Sequence, residues 1–135
     1  MEIRKIVLGY LQTNCYLLTQ TNEVVIIDPA DDADLIIEKC NGYKVVGILV
    51  THHHPDHIGA LSFLEQYYKI KHNSFEIKNF SFDVIKTPGH TGDSISIYFP
   101  KEQILFSGDF LFNGAIGRCD FEDSSINEMK NSLNN

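Results

Sequence analysis

Val45-Val46-Gly47-Ile48-Leu49-Val50-Thr51-His52-His53-His54-Pro55-Asp56-His57 is the stretch from which the rest of the chain is best read. Its first part, Val45 to Val50, is apolar on both faces, the pattern of a strand buried in a sandwich or under helices. Four of the six histidines then follow within six residues. In an extended segment residues two apart project to the same side, so His52 and His54 can meet one ion while His53 points away. Pro55 suits the first turn of a helix and brings Asp56 and His57 round as a second, differently aimed pair. The spacing of Ile58, Leu61, Leu64 and Tyr68 predicts a helix over Asp56 to Tyr67.

The residue types match one chemistry. Neutral imidazole and carboxylate are the usual donors to zinc and to non-haem iron. A surface histidine tract is the bland alternative, but H-x-H-x-D-H directly behind a buried strand favours ligands. His90 lies in Thr87-Pro88-Gly89-His90-Thr91-Gly92-Asp93-Ser94, where Pro and two Gly force a defined turn. Asp109 follows an apolar run, in Phe106-Ser107-Gly108-Asp109-Phe110. Taken alone, a turn histidine and a helix-capping aspartate describe these two equally well. Beside the first cluster, they read as three strand ends converging with suitable donors. Asp28, closing the run Val24-Val25-Ile26-Ile27, is placed to support the site by accepting from a ligand histidine. His53 and His72 are expected to face solvent, and Arg118 and Asp120 to pair.

Outward from the site, Ile3 to Leu8, Cys15 to Thr19 and Val24 to Ile27 read as strands, and Ala33 to Cys40 as a short helix. Phe75 to Lys78 and Phe82 to Lys86 read as a hairpin; Ile95 to Phe99 and Ile104 to Phe106 are further strands. Ser125 and Glu128 stand at capping-box spacing and open a last helix, with Ile126, Met129 and Leu133 on one face. Hairpins mixed with strand–helix units give an α+β or layered α/β arrangement in a single domain, 1–135.

Eleven basic against eighteen acidic residues give a net charge of −7, which opposes a nucleic-acid partner. Three widely spaced cysteines fit reduced thiols in a cytoplasmic protein. The longest apolar run is about a third of a membrane span, so no membrane association is expected.

His52-x-His54-x-Asp56-His57, the Thr-Pro-Gly-His turn at His90 and Ser-Gly-Asp at Asp109 together resemble the metallo-β-lactamase superfamily, in particular its glyoxalase II-like (hydroxyacylglutathione hydrolase-like) members. Thr13-Asn14-Cys15-Tyr16, Ile27-Asp28-Pro29 and Gly117-Arg118-Cys119-Asp120 extend the likeness along nearly the whole chain. The resemblance implies a four-layer αββα sandwich. It also implies a metal pair: His52, His54 and His90 on the first ion, Asp56 and His57 on the second, Asp109 bridging. Zinc is the implied metal, as one or two ions, with iron or manganese also compatible. A metal-bound hydroxide oriented by Asp56 would attack a small-molecule thioester or ester. Two alternatives are mono-iron, persulfide dioxygenase-like chemistry and an inactive, truncated metal-binding domain. Two departures from the family are expected to matter. The interval from His57 to His90 is short, and no histidine follows His90, so the last strand and helix are expected to be lacking. An exposed sheet edge left in that way would invite homo-oligomerisation.

Overall fold

A computed structural model describes residues 1–135, which fall into two compact units, Met1–Asn79 and Phe80–Asn135. In the first unit, β1 (Glu2–Leu8), β2 (Thr13–Gln20), β3 (Glu23–Ile27) and β4 (Lys44–Leu49) form one sheet in sequence order. The first two pairings are antiparallel. β3 and β4 pair in parallel, which requires a crossover, supplied by α1 (Ala33–Lys39). Asp32 caps that helix by accepting from the Leu35 N–H at 3.2 Å, and Asp34 and Lys39 sit at the ends that the helix dipole favours.

Every apolar residue of β3 is fully buried, which explains its unbroken β-branched run. Leu17, Val24, Ile26 and Ile48 pack with Ile36 of α1 and with Leu61 and Leu64 of a later helix in one core cluster. Leu18, Val25, Ile27 and Leu49 project to the opposite face and are buried as well. Ile77 lies on that face: a Cβ added to Gly47 would stand 2.3 Å from its Cδ1.

The helix expected over Asp56 to Tyr67 is two helices, α2 (Pro55–Ile58) and α3 (Leu61–Tyr68). The break has a cause. The Ala60 N–H donates to the Pro29 carbonyl at 3.0 Å, and a Cβ at Gly59 would lie 2.2 Å from the Ala30 oxygen. The chain leaving β3 therefore passes directly against the Gly59–Ala60 backbone and takes a donor the helix would have used.

In the second unit, β5 (Asp83–Lys86), β6 (Ile95–Phe99) and β7 (Ile104–Phe106) form an antiparallel meander. A two-residue hairpin, β8 (Leu111–Phe112) with β9 (Ala115–Ile116), and α4 (Ile126–Leu133) follow. Phe99 stacks between Phe82 and Phe106, at centroid distances of 5.3 and 5.8 Å. The expected hairpin of Phe75–Lys78 with Phe82–Lys86 does not form: 75–78 has no strand, and β5 pairs with β6 instead. Asn79, at φ +71, turns the chain between the two runs and donates to Glu23 at 2.9 Å, so the first run stays with the first unit.

Only half of the expected capping box forms at α4: Ser125 Oγ accepts from the Glu128 N–H at 3.2 Å, but the Ser125 N–H donates to the Gly89 carbonyl at 2.8 Å rather than to Glu128. Its buried face differs from the expected one. Met129 is buried, but Ile126 and Leu133 are half exposed, and the second buried residue is Ser132. Ser132 earns its place through its hydroxyl, which donates to the Pro88 carbonyl at 2.7 Å. No helix is long and apolar enough to cross a membrane.

This face makes a test. Ser132→Ala removes the hydroxyl that serves the half-buried Pro88 carbonyl and should cost about 1–2 kcal/mol in urea unfolding. Leu133→Ala, on the exposed side, should change stability by less than about 1 kcal/mol. Equal losses would contradict the observed face.

Candidate metal centre

Thr51 to His54 occupies the junction between β4 and α2, and Asp56 and His57 lie in α2 itself. The extended backbone turns the His52 and His54 rings to the same side, with centroids 5.0 Å apart. Pro55 starts α2 as anticipated, and one turn returns His57 to within 4.2 Å of His52, ring to ring. His52 and His57 are buried; His54 and Asp56 are partly exposed.

One carboxylate orders this cluster. Asp28 Oδ1 accepts the Thr51 N–H at 2.8 Å, and Asp28 Oδ2 accepts the Thr51 hydroxyl at 2.7 Å. The same Oδ2 lies 2.9 Å from His57 Nδ1, and Thr51 Oγ1 lies 3.1 Å from His52 Nδ1. Since the Thr51 proton is committed to Asp28, its oxygen accepts from His52 Nδ1–H. Both rings are thereby held as the Nδ1–H tautomer, which leaves the Nε2 lone pair for a ligand role. The supporting role expected of Asp28 is thus visible, and it reaches two histidines rather than one.

His57 Nε2 then stands 3.5 Å from Asp56 Oδ2, and the Thr13 hydroxyl donates to that oxygen at 3.0 Å. The second unit repeats the device. His90 Nδ1 donates to the Arg118 carbonyl at 2.8 Å, while His90 Nε2 lies 3.4 Å from Asp109 Oδ2. Two donors bound at about 2.0–2.1 Å to one tetrahedral ion sit roughly 3.4 Å apart. Nitrogen and carboxylate oxygen in both pairs have that separation, and the donor set contains no thiolate. These residues fit a divalent metal.

The backbone around His90 is built for close approach. Gly89 has φ +150, and a Cβ there would fall 2.6 Å from the Met129 Cα. A Cβ on Gly117 would lie 1.7 Å from the Asp109 carbonyl oxygen, so only glycine lets the Arg118 carbonyl reach His90. Gly92, expected to matter equally, has open space around it. Arg118 and Asp120 pair in two bonds of 2.6 Å, as expected, with the guanidinium 4.3 Å over the Phe121 ring. Cys119 is no activated nucleophile, because burial and then Asp120 push its thiol upward.

His53 and His72 do not simply face solvent: their Nε2 atoms meet at 2.9 Å. Thr13 and the Arg118 carbonyl carried no sequence signal as site residues, and the approach of Gly117 to Asp109 shows only in the fold.

The sequence model of the metallo-beta-lactamase superfamily matches residues 8–73 and 69–135. The chain belongs to that superfamily. Its two matched stretches meet at 69–73, inside the interval whose shortness the sequence shows. A hydroxyacylglutathione hydrolase of Francisella tularensis subsp. novicida is 33% identical over 139 residues, 87% of this chain and 55% of that protein. The chain thus spans about half the length of that relative. Among solved structures, BLEG-1 B3 metallo-beta-lactamase superposes with a TM-score of 0.91 at 32% identity, covering 99% of this chain and 84% of that one. TTHA1623, in a di-iron-bound form, gives 0.84 at 26%, covering 97% and 84%. ETHE1 from Myxococcus xanthus gives 0.82 at 28%, covering 99% and 68%. The fold is that of the metallo-β-lactamases, and metal binding and a hydrolase-like character follow from the family.

Removing the shared anchor should expose its role. Asp28→Ala is expected to weaken metal binding by about 10–100-fold in chelator competition, and Thr51→Val, which keeps the shape, by about tenfold. Unchanged affinity in both variants would show that the hydrogen-bonded rings do not depend on Asp28.

Proposed function

We propose that the chain is a metal-dependent hydrolase of a thioester or related ester, acting through one metal centre in a single metallo-β-lactamase-like domain. His52, His54 and His90 would hold a first ion and Asp56 and His57 a second, with Asp109 shared between them. The observation that carries this reading is the pairing of an anchored imidazole with a carboxylate at ligand spacing in each unit. The choice of a thioester draws on the identity to a hydroxyacylglutathione hydrolase along 87% of the chain. Zinc suits these donors best, and three free cysteines suit a cytoplasmic setting.

A metal held there supplies Lewis acidity, drawing the pKa of water towards neutrality and polarising a carbonyl. The protein's own part falls to Asp56. Thr13 fixes its carboxylate through Oδ2, leaving Oδ1 to take a proton from the attacking water as the water's lone pair closes on the carbonyl carbon, a proton that passes on to solvent once the thiolate has left. The thiolate leaves with the electron pair of the C–S bond and needs little protonation, so no separate strong acid is required.

Beside Asp56 lies a cavity of about 540 Å³. Leu8, Leu11, Ala30 and Pro55 give it an apolar wall, and its charged groups are the carboxylates of Asp31 and Asp56. Such a lining repels anionic groups and favours an uncharged, apolar acyl or thiol portion. Iron in place of zinc draws on the likeness at 26% identity to a protein crystallised in a di-iron form, which speaks to the metal and not to the mono-iron, persulfide dioxygenase-like alternative.

Purified chain should carry metal, lose thioesterase activity on chelation and recover it with zinc. Asp56→Asn should lower kcat by about 100-fold or more. Leu11→Asp should raise KM for an apolar acyl thioester by about tenfold with kcat less affected. Iron as the resident metal, with oxygen uptake on a persulfide and no thioester cleavage, would overturn the hydrolase reading.

A further inference from the structure

β4 is the last strand of its sheet, so its outer edge faces no further strand. A single residue serves that edge where the histidine loop begins. The Asn73 N–H donates to the Ile48 carbonyl at 2.9 Å, Asn73 Oδ1 accepts the Val50 N–H at 2.8 Å, and Asn73 Nδ2 donates to the Val50 carbonyl at 3.2 Å. One asparagine thus pairs three backbone groups that an added strand would otherwise pair. It does so at φ +57, a left-handed conformation that asparagine tolerates better than most residues. The segment that carries it is tied to α3, because the His72 N–H donates to Glu65 Oε2 at 2.9 Å.

The Val50 carbonyl and the Thr51 N–H belong to one peptide plane, and both residues are buried. In a trans peptide these two groups point in opposite directions and turn together as a rigid unit. Asn73 Nδ2 holds the carbonyl end from the outer edge, while Asp28 Oδ1 holds the N–H end from the β3 side at 2.8 Å. One hydrogen bond alone leaves the plane free to pivot about that contact. With both made, ψ of Val50 and φ of Thr51 are set. These angles decide where Thr51 Oγ1 meets His52 Nδ1, at 3.1 Å.

We propose that Asn73 is a positioning residue for the metal centre: with Asp28 it grips the two ends of the Val50–Thr51 peptide plane and so aims the His52 ring. The proposal rests on the reading of His52 as a metal ligand. Asn73 acts through the main chain and touches neither the metal nor the substrate.

Asn73→Gly keeps the left-handed backbone and the bond to Ile48 but removes the amide. Asn73→Asp keeps the acceptor for the Val50 N–H and loses only the donor to its carbonyl. Both should weaken Zn²⁺ binding about tenfold in chelator competition. Ile36→Val, in the core cluster, controls for lost stability and should leave the affinity unchanged, with urea midpoints measured for all three. In metal-free protein, hydrogen exchange at the Thr51 amide should speed up in Asn73→Gly by more than its urea midpoint accounts for. Added to Asp28→Ala, Asn73→Gly should lower the affinity by less than about twofold more, because the plane is already free. Wild type that binds no Zn²⁺ overturns the reading of the metal centre and this proposal with it. Zn²⁺ bound as tightly by both Asn73 variants as by wild type overturns the proposal alone. So does an equal loss in Ile36→Val, or a loss in Asn73→Gly that adds in full to that of Asp28→Ala.

Discussion

Asp28 is a buried carboxylate at the end of β3, in a left-handed conformation at φ +53, and the cluster at the end of β4 depends on it. Its backbone N–H continues the parallel pairing by donating to Leu49 at 2.9 Å. Its side chain then takes three donors, two from Thr51 and one from His57. A carboxylate withdrawn from water is expensive unless its lone pairs are used, and here they are used to fix the loop that follows β4. Strand pairing in the core is thus converted directly into the orientation of His52 and His57. The left-handed backbone, which Asp tolerates better than most residues, is what swings the carboxylate across to the neighbouring strand.

The second unit solves the same problem with a carbonyl in place of a carboxylate. His90 is held by the Arg118 oxygen, and that contact exists because Gly117 has no side chain to keep the segment away from Asp109. Ser124 also donates to the His90 carbonyl at 2.7 Å, and the Ser125 N–H donates to Gly89 at 2.8 Å. The turn carrying His90 is therefore clamped by the approach to α4, whose buried Met129 sits against Gly89. In both units a histidine-bearing loop is immobilised through backbone groups and Nδ1 atoms. The Nε2 atoms and carboxylates are left facing one another at coordination distance.

Much of this was legible in the residues. The alternation of His52 and His54, the helix start at Pro55 and the N-cap at Ser125 are short-range features, set by backbone periodicity and local hydrogen bonds. The strands, too, declared themselves by composition, because β3 and β4 are buried on both faces and tolerate only apolar residues. What failed were the inferences needing a distant partner. Ala60 gives its N–H to Pro29 and splits a helix whose periodicity is continuous. Ile77 packs on Gly47 and keeps 75–78 out of a hairpin. Ser132 occupies the buried face of α4 because Pro88 offers it a carbonyl. None of these partners lies near its residue in sequence.

The sequence by itself determined which side chains stand as candidate donors: imidazole and carboxylate at spacings that an extended loop and one helical turn present together. It determined as well which strands carry those donors, since buried strands admit little else. Tertiary structure decided how the donors are held. Which ring nitrogen carries the proton depends on Asp28, Thr51 and the Arg118 carbonyl, groups brought up by strand pairing and a glycine-permitted close approach. It also decided that His53, expected to face solvent, meets His72, which Glu65 in turn holds. Spacing fixes what a local segment can offer, but a hydrogen bond between residues far apart in the chain exists only once the fold has placed them within 3 Å.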